Sequence, residues 1–233
     1  MRPGESLPPR GRWLRAALPP TRESTSMAER AHGAVAPPTH STIAGASWYG
    51  QDIVQQVHTA VLFRDLDMSE VHNTGSVFTD CTFRHARFST STHVDAAFVN
   101  CTFVACKFFE ASFSDCKFTG SMFDGCMFDL MKVTGGDWSF AGLPGADLRR
   151  ASFAGTRLRE ADLTGARCQG GSLRDLDLSG AWLHSADLTK CDLRGSDLSA
   201  LEPTNVQLQG AVITALQALV IAEALGLDVR AED

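Results

Sequence analysis

The stretch ADLRRASFAGTRLREADLTGA, residues 146–166, repeats a pattern every five residues. A small residue opens each unit, and two positions later stands a bulky apolar residue, at Leu148, Phe153, Leu158 and Leu163. A helix would spread a period of five around its surface, and a strand would alternate in twos. The pattern therefore predicts a solenoid whose chain turns a corner every five residues and points the small and bulky residues inward.

The same register runs from residue 61 to residue 215 without an insertion, and His58 and Ile53 extend it by half a coil. Its central position is mostly phenylalanine in the N-terminal half and mostly leucine in the C-terminal half. The position two residues earlier is mostly alanine, serine or cysteine. Because the repeat covers about two thirds of the 233 residues, one continuous stack of coils makes up most of the molecule.

This motif, a small residue followed by Asp or Asn, then Leu or Phe and two more residues, resembles that of the pentapeptide-repeat family. Members of the family fold as a right-handed, four-sided parallel β-helix with one pentad on each side. The resemblance therefore implies an all-β protein, a right-handed quadrilateral parallel β-helix with 20 residues in each coil. A short helix is expected to follow it at the C-terminus.

The chain divides into three expected segments. Residues 1–45 are rich in Pro and Arg, with seven of the nine prolines before residue 40, and we expect a disordered tail there. Residues 46–215 form the β-helix, and residues 216–233 form a C-terminal capping and dimerisation helix and tail. Met27 offers a second start, which leaves open whether residues 1–26 belong to the native protein.

The composition of the chain limits the cellular compartment and the classes of partner that are expected for it. The formal net charge of −6 argues against direct binding of nucleic acid, which needs clustered cations. The sequence contains no run of 18 apolar residues, so it predicts no membrane-spanning helix. The seven cysteines are an odd number in a chain without a secretory signal pattern, so we expect free thiols and a cytoplasmic location.

Two segments resemble one branch of the family more closely. FRDLDMSEVHNTGSVFTDCTF, residues 63–83, and TNVQLQGAVITALQALVIAEALGLDV, residues 204–229, resemble the opening and the ending of the MfpA-type fluoroquinolone-resistance proteins. This resemblance implies a protein that mimics B-DNA, binds and inhibits DNA gyrase and protects the enzyme from quinolones. The related Qnr proteins carry loops that protrude from the rod, and the unbroken register here leaves no room for such loops.

Charge is unevenly distributed around the predicted rod. The side containing residues 76–80 has five acids against three bases, and the neighbouring side containing residues 61–65 has four against two. The other two sides have a net charge of −1 and zero. A negative surface on a narrow rod can steer a cationic groove toward it, although Asp is also common in this motif for structural reasons. We name the candidate partner-binding residues the acidic edge: Asp80, Asp124, Asp137, Asp162, Asp177, Asp197 and Glu202.

The C-terminal segment predicts a second contact surface. Residues 215–224 are expected to form a helix that ends at Gly226. A helix that is apolar nearly all round buries more than one face, so one face can cover the last coil and the rest can form a twofold dimer. Dimerisation through this end also follows from the resemblance. The expected dimerisation residues are Leu216, Leu219, Val220, Ile221 and Leu225.

Several polar and sulfur-containing residues are candidates for chemistry. Cys81 and Cys101 lie one coil apart, as do Cys106 and Cys126, but they occupy the small inward position and lack the converging ligands of a metal site. Asn73 and His93 also lie one coil apart, which predicts either a polar notch or a local hydrogen-bonded pair. The sequence contains no catalytic, cofactor-binding or metal-binding motif, and a filled rod has no pocket for an enzyme.

The sequence therefore predicts a cytoplasmic homodimer that binds DNA gyrase as a DNA mimic, without a cofactor and without catalysis. It inhibits or modulates gyrase, and the sequence leaves open whether it also protects the enzyme from fluoroquinolones or other gyrase poisons. The alternative is a non-enzymatic interaction scaffold with an unidentified protein partner.

Overall fold

The structure is a computed structural model that describes residues 35–230; residues 1–34, most of the expected tail, and residues 231–233 lie outside the described part. The described chain is a parallel β-helix in which each short strand pairs with the strand 20 residues further along. Phe63 lies beside Phe83, and Phe83 lies beside Phe103. The spacing of 20 confirms that four pentads complete one coil.

Fifteen strands and one helix are assigned within residues 35–230. In chain order they are β1 (Ser41–Ala44), β2 (Asp52–Val54), β3 (Val57–Thr59), β4 (Val61–Arg64), β5 (His72–Thr74), β6 (Val77–Thr79), β7 (Thr82–Arg84), β8 (Thr92–Val94), β9 (Ala97–Val99), β10 (Thr102–Val104), β11 (Ser112–Ser114), β12 (Met122–Asp124), β13 (Lys132–Thr134), β14 (Ser152–Ala154), β15 (Ser172–Arg174) and α1 (Ala215–Ala224).

The four sides of the rod are named here by their central residues in one coil. The Phe63 side holds the sheet β1-β4-β7-β10-β12, the Asn73 side holds the seven-stranded sheet from β2 to β15, and the Phe78 side holds β3-β6-β9. The Met68 side is joined by single parallel bridges, such as Asp67 with Arg87. All four sides therefore hydrogen-bond coil to coil, as the pentad register predicts.

Corners follow from a left-handed residue at the fifth position of most pentads. Asp80, Asp95 and Asn100 have φ values of 54°, 51° and 53°. Asp, Asn and Gly tolerate this conformation better than β-branched or bulky residues do. The corner geometry explains why a period of five is compatible with strands of only three or four residues.

Stacked aromatic rings fill the N-terminal half of the core. Phe78, Phe98 and Phe118 form one column with ring centroids 4.9 and 4.7 Å apart. Phe83 and Phe103 stack in a second column at 4.9 Å. All five side chains are fully buried, so each contributes both apolar burial and ring-to-ring contact to stability.

Small polar side chains satisfy backbone carbonyls inside the rod. The Sγ atom of Cys101 donates to the carbonyl oxygen of Phe78 at 3.3 Å, and Oγ of Ser121 donates to that of Phe98 at 2.6 Å. All seven cysteines are free thiols. Burial raises the pKa of Cys116 to about 11 and that of Cys191 to about 12, so these thiols are poor nucleophiles.

The β-helix starts earlier than the expected boundary between residues 45 and 46. Strand Ser41–Ala44 pairs in register with Val61–Arg64, and Ile43 packs against the core from the central position of its pentad. Trp48 takes the next central position and lies edge-on to Phe63, with ring centroids 5.8 Å apart. Residues 41–45 therefore belong to the coil, and the expected tail is too long by these five residues.

Helix α1 is fixed at both ends by local hydrogen bonds. Thr214 and Gln217 form a capping box at its start. At its end Gly226 has a φ of 81°, and the N–H of Leu227 donates to the carbonyl oxygen of Ala222 at 3.0 Å, as in a Schellman motif. The predicted end at Gly226 is therefore confirmed. Neither α1 nor any other segment of residues 35–230 forms a helix with the length and hydropathy of a membrane span.

Candidate partner-binding surface

The structure places the acidic edge on two neighbouring sides of the rod. The Phe78 side immediately precedes the Phe63 side in each coil, so the two share a corner. The Phe78 side carries Asp80, Asp137, Asp177 and Asp197, and the Phe63 side carries Asp124, Asp162 and Glu202. These seven residues are distributed along the rod, which makes the edge a long surface and not a compact site.

Four of the seven residues also stabilise turns. The carboxylates of Asp137, Asp162, Asp177 and Asp197 each accept a hydrogen bond from the backbone N–H two residues later, at 2.9–3.1 Å. This is an Asx-type contact that favours the bend after the central residue. It gives a structural reason for Asp before the central residue on more than one side of the rod, since Asp67 makes the same contact on the Met68 side.

Arginines from the following or the preceding coil offset part of the negative charge. Arg157 donates to Asp137 at 3.1 Å, and Arg159 lies 4.0 Å from Asp177. Burial opposes ionisation of Asp137, but hydrogen bonds from Ser139 and Arg157 lower its pKa on balance. The hydrogen bond from Ser179 and the nearby arginines lower the pKa of Asp177. Both carboxylates stay ionised at neutral pH, and both have a cation beside them.

Asp80, Asp124, Asp197 and Glu202 form no ion pair with any described residue. Asp124, Asp197 and Glu202 are exposed, and Asp80 is half-buried at its corner. The seventh member, Asp162, is only 8% exposed. The negative field of the edge therefore comes mainly from these four residues, fewer than the sequence count alone indicates.

Counting the charges on each side of the rod did not reveal the ion pairs between residues of adjacent coils. Asp and Arg residues 20 positions apart meet on adjacent coils: Arg87 donates to Asp67 at 3.0 Å, and Arg167 donates to Asp147 at 3.1 Å. The signal was present in the sequence as opposite charges at the coil spacing. Such exposed pairs contribute little to stability, but they remove charge from a docking surface.

The predicted dimerisation residues lie at the C-terminal end of the rod. Leu216, Leu219, Val220 and Leu225 are exposed in the single chain, with Leu216 at 76%. Ile221 packs partly against the core. Helix α1 is held to the last coil chiefly by buried Gln217, whose Nε2 atom donates to the carbonyl oxygens of Leu193 and Ser196 at 2.7 Å each. The apolar surface of α1 is therefore left largely uncovered.

The polar pair inside the rod is a local hydrogen-bonded network. Ser91 Oγ donates to the carbonyl oxygen of Phe88 at 2.6 Å, so it accepts from Nε2 of His93 at 2.9 Å. Nδ1 of His93 then accepts from Nδ2 of Asn73 at 3.1 Å. Burial lowers the pKa of His93 to about 3, so the imidazole is neutral at physiological pH. Asn73 and His93 are both buried, so they form no notch at the surface.

Acid is expected to weaken the fold through His93. Between the unfolded pKa of about 6.5 and the folded value of about 3, the unfolded chain binds a proton that the folded chain excludes. Stability should therefore fall by up to about 1.4 kcal/mol for each pH unit below 6. The double variant Asn73→Leu/His93→Phe should lose this component, because neither new side chain binds a proton. The fold should tolerate the change, since the phenyl ring can stack on Phe113 as the imidazole of His93 does at 4.7 Å.

Urea unfolding of both proteins between pH 7 and pH 4 measures this difference. Carboxylates and other histidines contribute equally to both proteins and cancel in the comparison. Equal loss of stability in the two proteins would contradict the role assigned to His93.

Among residues 35–230, no group of three or more His, Cys, Asp or Glu side chains is arranged to hold a metal ion. The buried groups described above serve the interior of the fold.

Comparisons with known proteins agree with this architecture. The Pentapeptide repeats family model matches residues 141–180 and 161–199. Full-length QnrB1, a plasmid-mediated fluoroquinolone resistance protein, is 22% identical, with a TM-score of 0.64, and the match covers 81% of this chain and all of QnrB1. A trypsin-treated QnrB1 variant is 24% identical, with a TM-score of 0.50 and coverage of 80% and 99%. Identities at this level show a shared fold. No curated protein sequence matches the chain significantly.

Proposed function

We propose that the chain, which matches the Pentapeptide repeats family model over residues 141–199 and shares its fold with QnrB1, binds DNA gyrase in the cytoplasm as a mimic of DNA. In this proposal the rod occupies the groove that receives a DNA segment and thereby inhibits or modulates the enzyme. Occupancy of the groove also protects gyrase from fluoroquinolones or other gyrase poisons. The mechanism is competitive binding, and no covalent step is involved.

The observation that carries the proposal is a rod without inserted loops from Ser41 to Gly180, with unpaired carboxylates along one edge of the described residues. Asp124 and Glu202 lie on the same side, four coils apart, which corresponds to about 19 Å at the usual strand spacing. Asp80 and Asp197 lie on the adjoining side. Negative charge distributed along a narrow cylinder is complementary to a cationic groove, and it accelerates encounter through long-range attraction.

The resemblance to MfpA-type proteins supports gyrase as the partner, and the fold is shared with QnrB1, a plasmid-mediated fluoroquinolone resistance protein. The regular coils from Ser41 to Gly180 contain no inserted loop. The proposed mechanism therefore relies on the surface of the rod, and protection that depends on protruding loops is not part of it.

We also propose that two chains associate through the exposed face of α1. A twofold axis at this end would bring Leu216 and Leu219 of both chains together and would place the two rods end to end. The doubled rod would present a longer DNA-like surface. Dimerisation would cover the apolar side chains that the last coil leaves exposed.

Neutralising three unpaired acids should weaken gyrase inhibition. In the variant Asp80→Asn/Asp124→Asn/Asp197→Asn, we expect the half-maximal inhibitory concentration to rise about tenfold at low salt, since three exposed ion pairs are worth roughly 1.5 kcal/mol together. Asn tolerates the left-handed corner at residue 80 and can keep the turn contact at residue 197. Inhibition of supercoiling by purified gyrase is the measurement.

A matched control removes the same charge from another side of the rod. Asp95, Asp115 and Asp175 lie on the Asn73 side at left-handed corners, with φ values of 51°, 52° and 55°. Their replacement by Asn should leave the half-maximal inhibitory concentration within about twofold of the original value, because exposed charges outside the contact surface have little effect on binding. Equal effects of the two triple variants would reject the acidic edge as the contact surface. Failure of the unmodified chain to bind gyrase would favour the alternative, a non-enzymatic scaffold with another protein partner.

A further inference from the structure

The hydrogen-bond ladder of the Phe63 side changes near the C-terminal end of the rod. Bridges run regularly from Gly142 to Asp162 and from Asp162 to Trp182, which is the last residue bridged on this side within residues 35–230. In the next coil the N–H of Asn205 donates to the carbonyl oxygen of Glu202 at 2.9 Å and forms a local turn. Residues 202–204 therefore bend away from the coil beneath them, and contact returns at Asn205, whose carbonyl oxygen accepts from the N–H of Ser185 at 2.7 Å.

Pro203 explains this departure. It stands at the central position of its pentad, where Leu163 and Leu183 in the two preceding coils are buried. The proline ring fixes φ at about −65° and restricts the backbone of Glu202, the residue before it, which takes the place that Trp182 has in the coil below. There the N–H of Trp182 donates to the carbonyl oxygen of Ala161, and its carbonyl oxygen accepts from the N–H of Leu163. The Pro203 side chain is only half-buried, and the ladder resumes on the next side with the bridge between Asp187 and Gln207.

The local separation of the coils opens a cavity of about 360 Å³, which we call the Trp182 cavity. Its lining combines an aromatic ring, a carboxylate and an amide. Trp182 is 42% exposed, although it occupies the position that in the coil below holds Asp162, which is almost buried. The principal lining residues are Trp182, His184, Glu202, Asn205 and Val206.

We propose that the Trp182 cavity binds a cationic side chain, arginine or lysine, of the partner protein. The face of an indole ring attracts a guanidinium or ammonium group. Glu202 supplies the opposite charge: its Oε2 atom accepts from Nδ2 of Asn205, and Oε1 has no partner among the described residues. An aromatic ring and a carboxylate lining one cavity thus select a cation over a neutral or anionic group.

This inference rests on the proposed function, because Glu202 belongs to the acidic edge and the cavity lies on the same face. It adds a specific anchor to an otherwise diffuse electrostatic surface. Interfaces of this kind concentrate much of their binding energy in a few aromatic and charged contacts. A partner arginine seated here would also fix the position of the rod along its axis, which a uniform row of charges cannot do.

The cavity can be tested without gyrase. N-acetyl-arginine methylamide is titrated into the full chain while the indole N–H signal of Trp182 is followed by NMR; the signal is assigned by its loss in Trp182→Phe. We expect a saturable shift with a Kd of about 1–10 mM, weakened at least about fivefold in Glu202→Gln. The neutral citrulline analogue should cause no saturable shift. An equal response to citrulline, or no effect of Glu202→Gln, would overturn the proposal.

A second arm tests whether the partner uses the cavity. Trp182→Ala and Glu202→Gln should each raise the concentration needed for half-maximal gyrase inhibition at least about threefold. The controls Phe109→Ala and Glu110→Gln alter an exposed aromatic and an exposed acid on the Met68 side and should have no effect. Inhibition that is unchanged by both cavity variants would overturn the partner role. If the unmodified chain does not bind gyrase, the proposed function fails, and the NMR titration still decides whether the cavity selects a cation.

Discussion

Replacing Phe98 with alanine should lower the free energy of unfolding by about 3–5 kcal/mol. The Phe98 ring is fully buried, and it stacks between Phe78 and Phe118 with centroids 4.9 and 4.7 Å away. It also meets Phe83 and Phe103 edge-on. The rod cannot collapse around the missing ring, because the backbone ladder holds neighbouring coils at a fixed spacing. Urea unfolding at constant protein concentration measures the loss.

Two further variants separate the contribution of ring stacking to stability from the effect of removing any phenylalanine. Phe98→Leu should cost less than Phe98→Ala, since leucine fills the same central position at Leu158 on the same side. Phe109→Ala should change stability by less than about 0.5 kcal/mol, because Phe109 is 44% exposed. If Phe98→Ala were no more destabilising than Phe109→Ala, the stacked rings would not be the main support of this half of the rod.

Introducing charge on α1 should convert the proposed dimer into monomers. In Leu216→Asp/Leu219→Asp each chain loses two apolar side chains. Because both chains of a twofold dimer carry the change, the interface loses four in total. Burial of one leucine is worth about 2 kcal/mol, so the loss is large compared with the stability of a typical dimer. Both residues are exposed in the single chain, so the fold should tolerate the change. Sedimentation equilibrium should report half the mass of the original protein.

The matched control for the dimer is Glu223→Gln, an exposed polar position on the same helix. This variant should keep the original mass, and both variants should keep the same circular dichroism spectrum. A monomeric original protein at tens of micromolar would contradict the proposed dimer. A dimer that survives both aspartates would place the interface elsewhere.

The fold was predictable because one physical requirement repeats along the chain. Every fifth residue must fill the interior, and Leu148 or Phe98 reports this as clearly in the sequence as in the structure. The start of the rod was recovered only from residue 46, which includes Trp48. The pentad before it carries Ile43 in a context of mixed composition, and only its pairing with the second coil shows that it belongs to the rod.

The candidate surface was predicted less completely than the fold. Sequence position assigned each acid to a side of the rod, but the charge available to a partner depends on pairing between coils. Arg157 beside Asp137 illustrates this, since both were counted on one side without being paired. The burial of Asp162 depends on its neighbours in the same way.

The Trp182 cavity could not be predicted from the sequence pattern either. Pro203 was visible as an exception at the central position, but its consequence depends on how the following residues bend. The cavity volume and the joint exposure of Trp182 and Glu202 emerge only from the folded coils.

The most direct test of the central claim is a DNA supercoiling assay with purified gyrase and the full chain. The chain is titrated at about 50 and about 200 mM salt, with and without a fluoroquinolone, and with relaxed plasmid as the substrate. Competition by charge and shape predicts inhibition that weakens at higher salt, and less drug-induced DNA cleavage when the chain is present. Unchanged supercoiling and unchanged cleavage up to tens of micromolar chain at the lower salt concentration would contradict the claim.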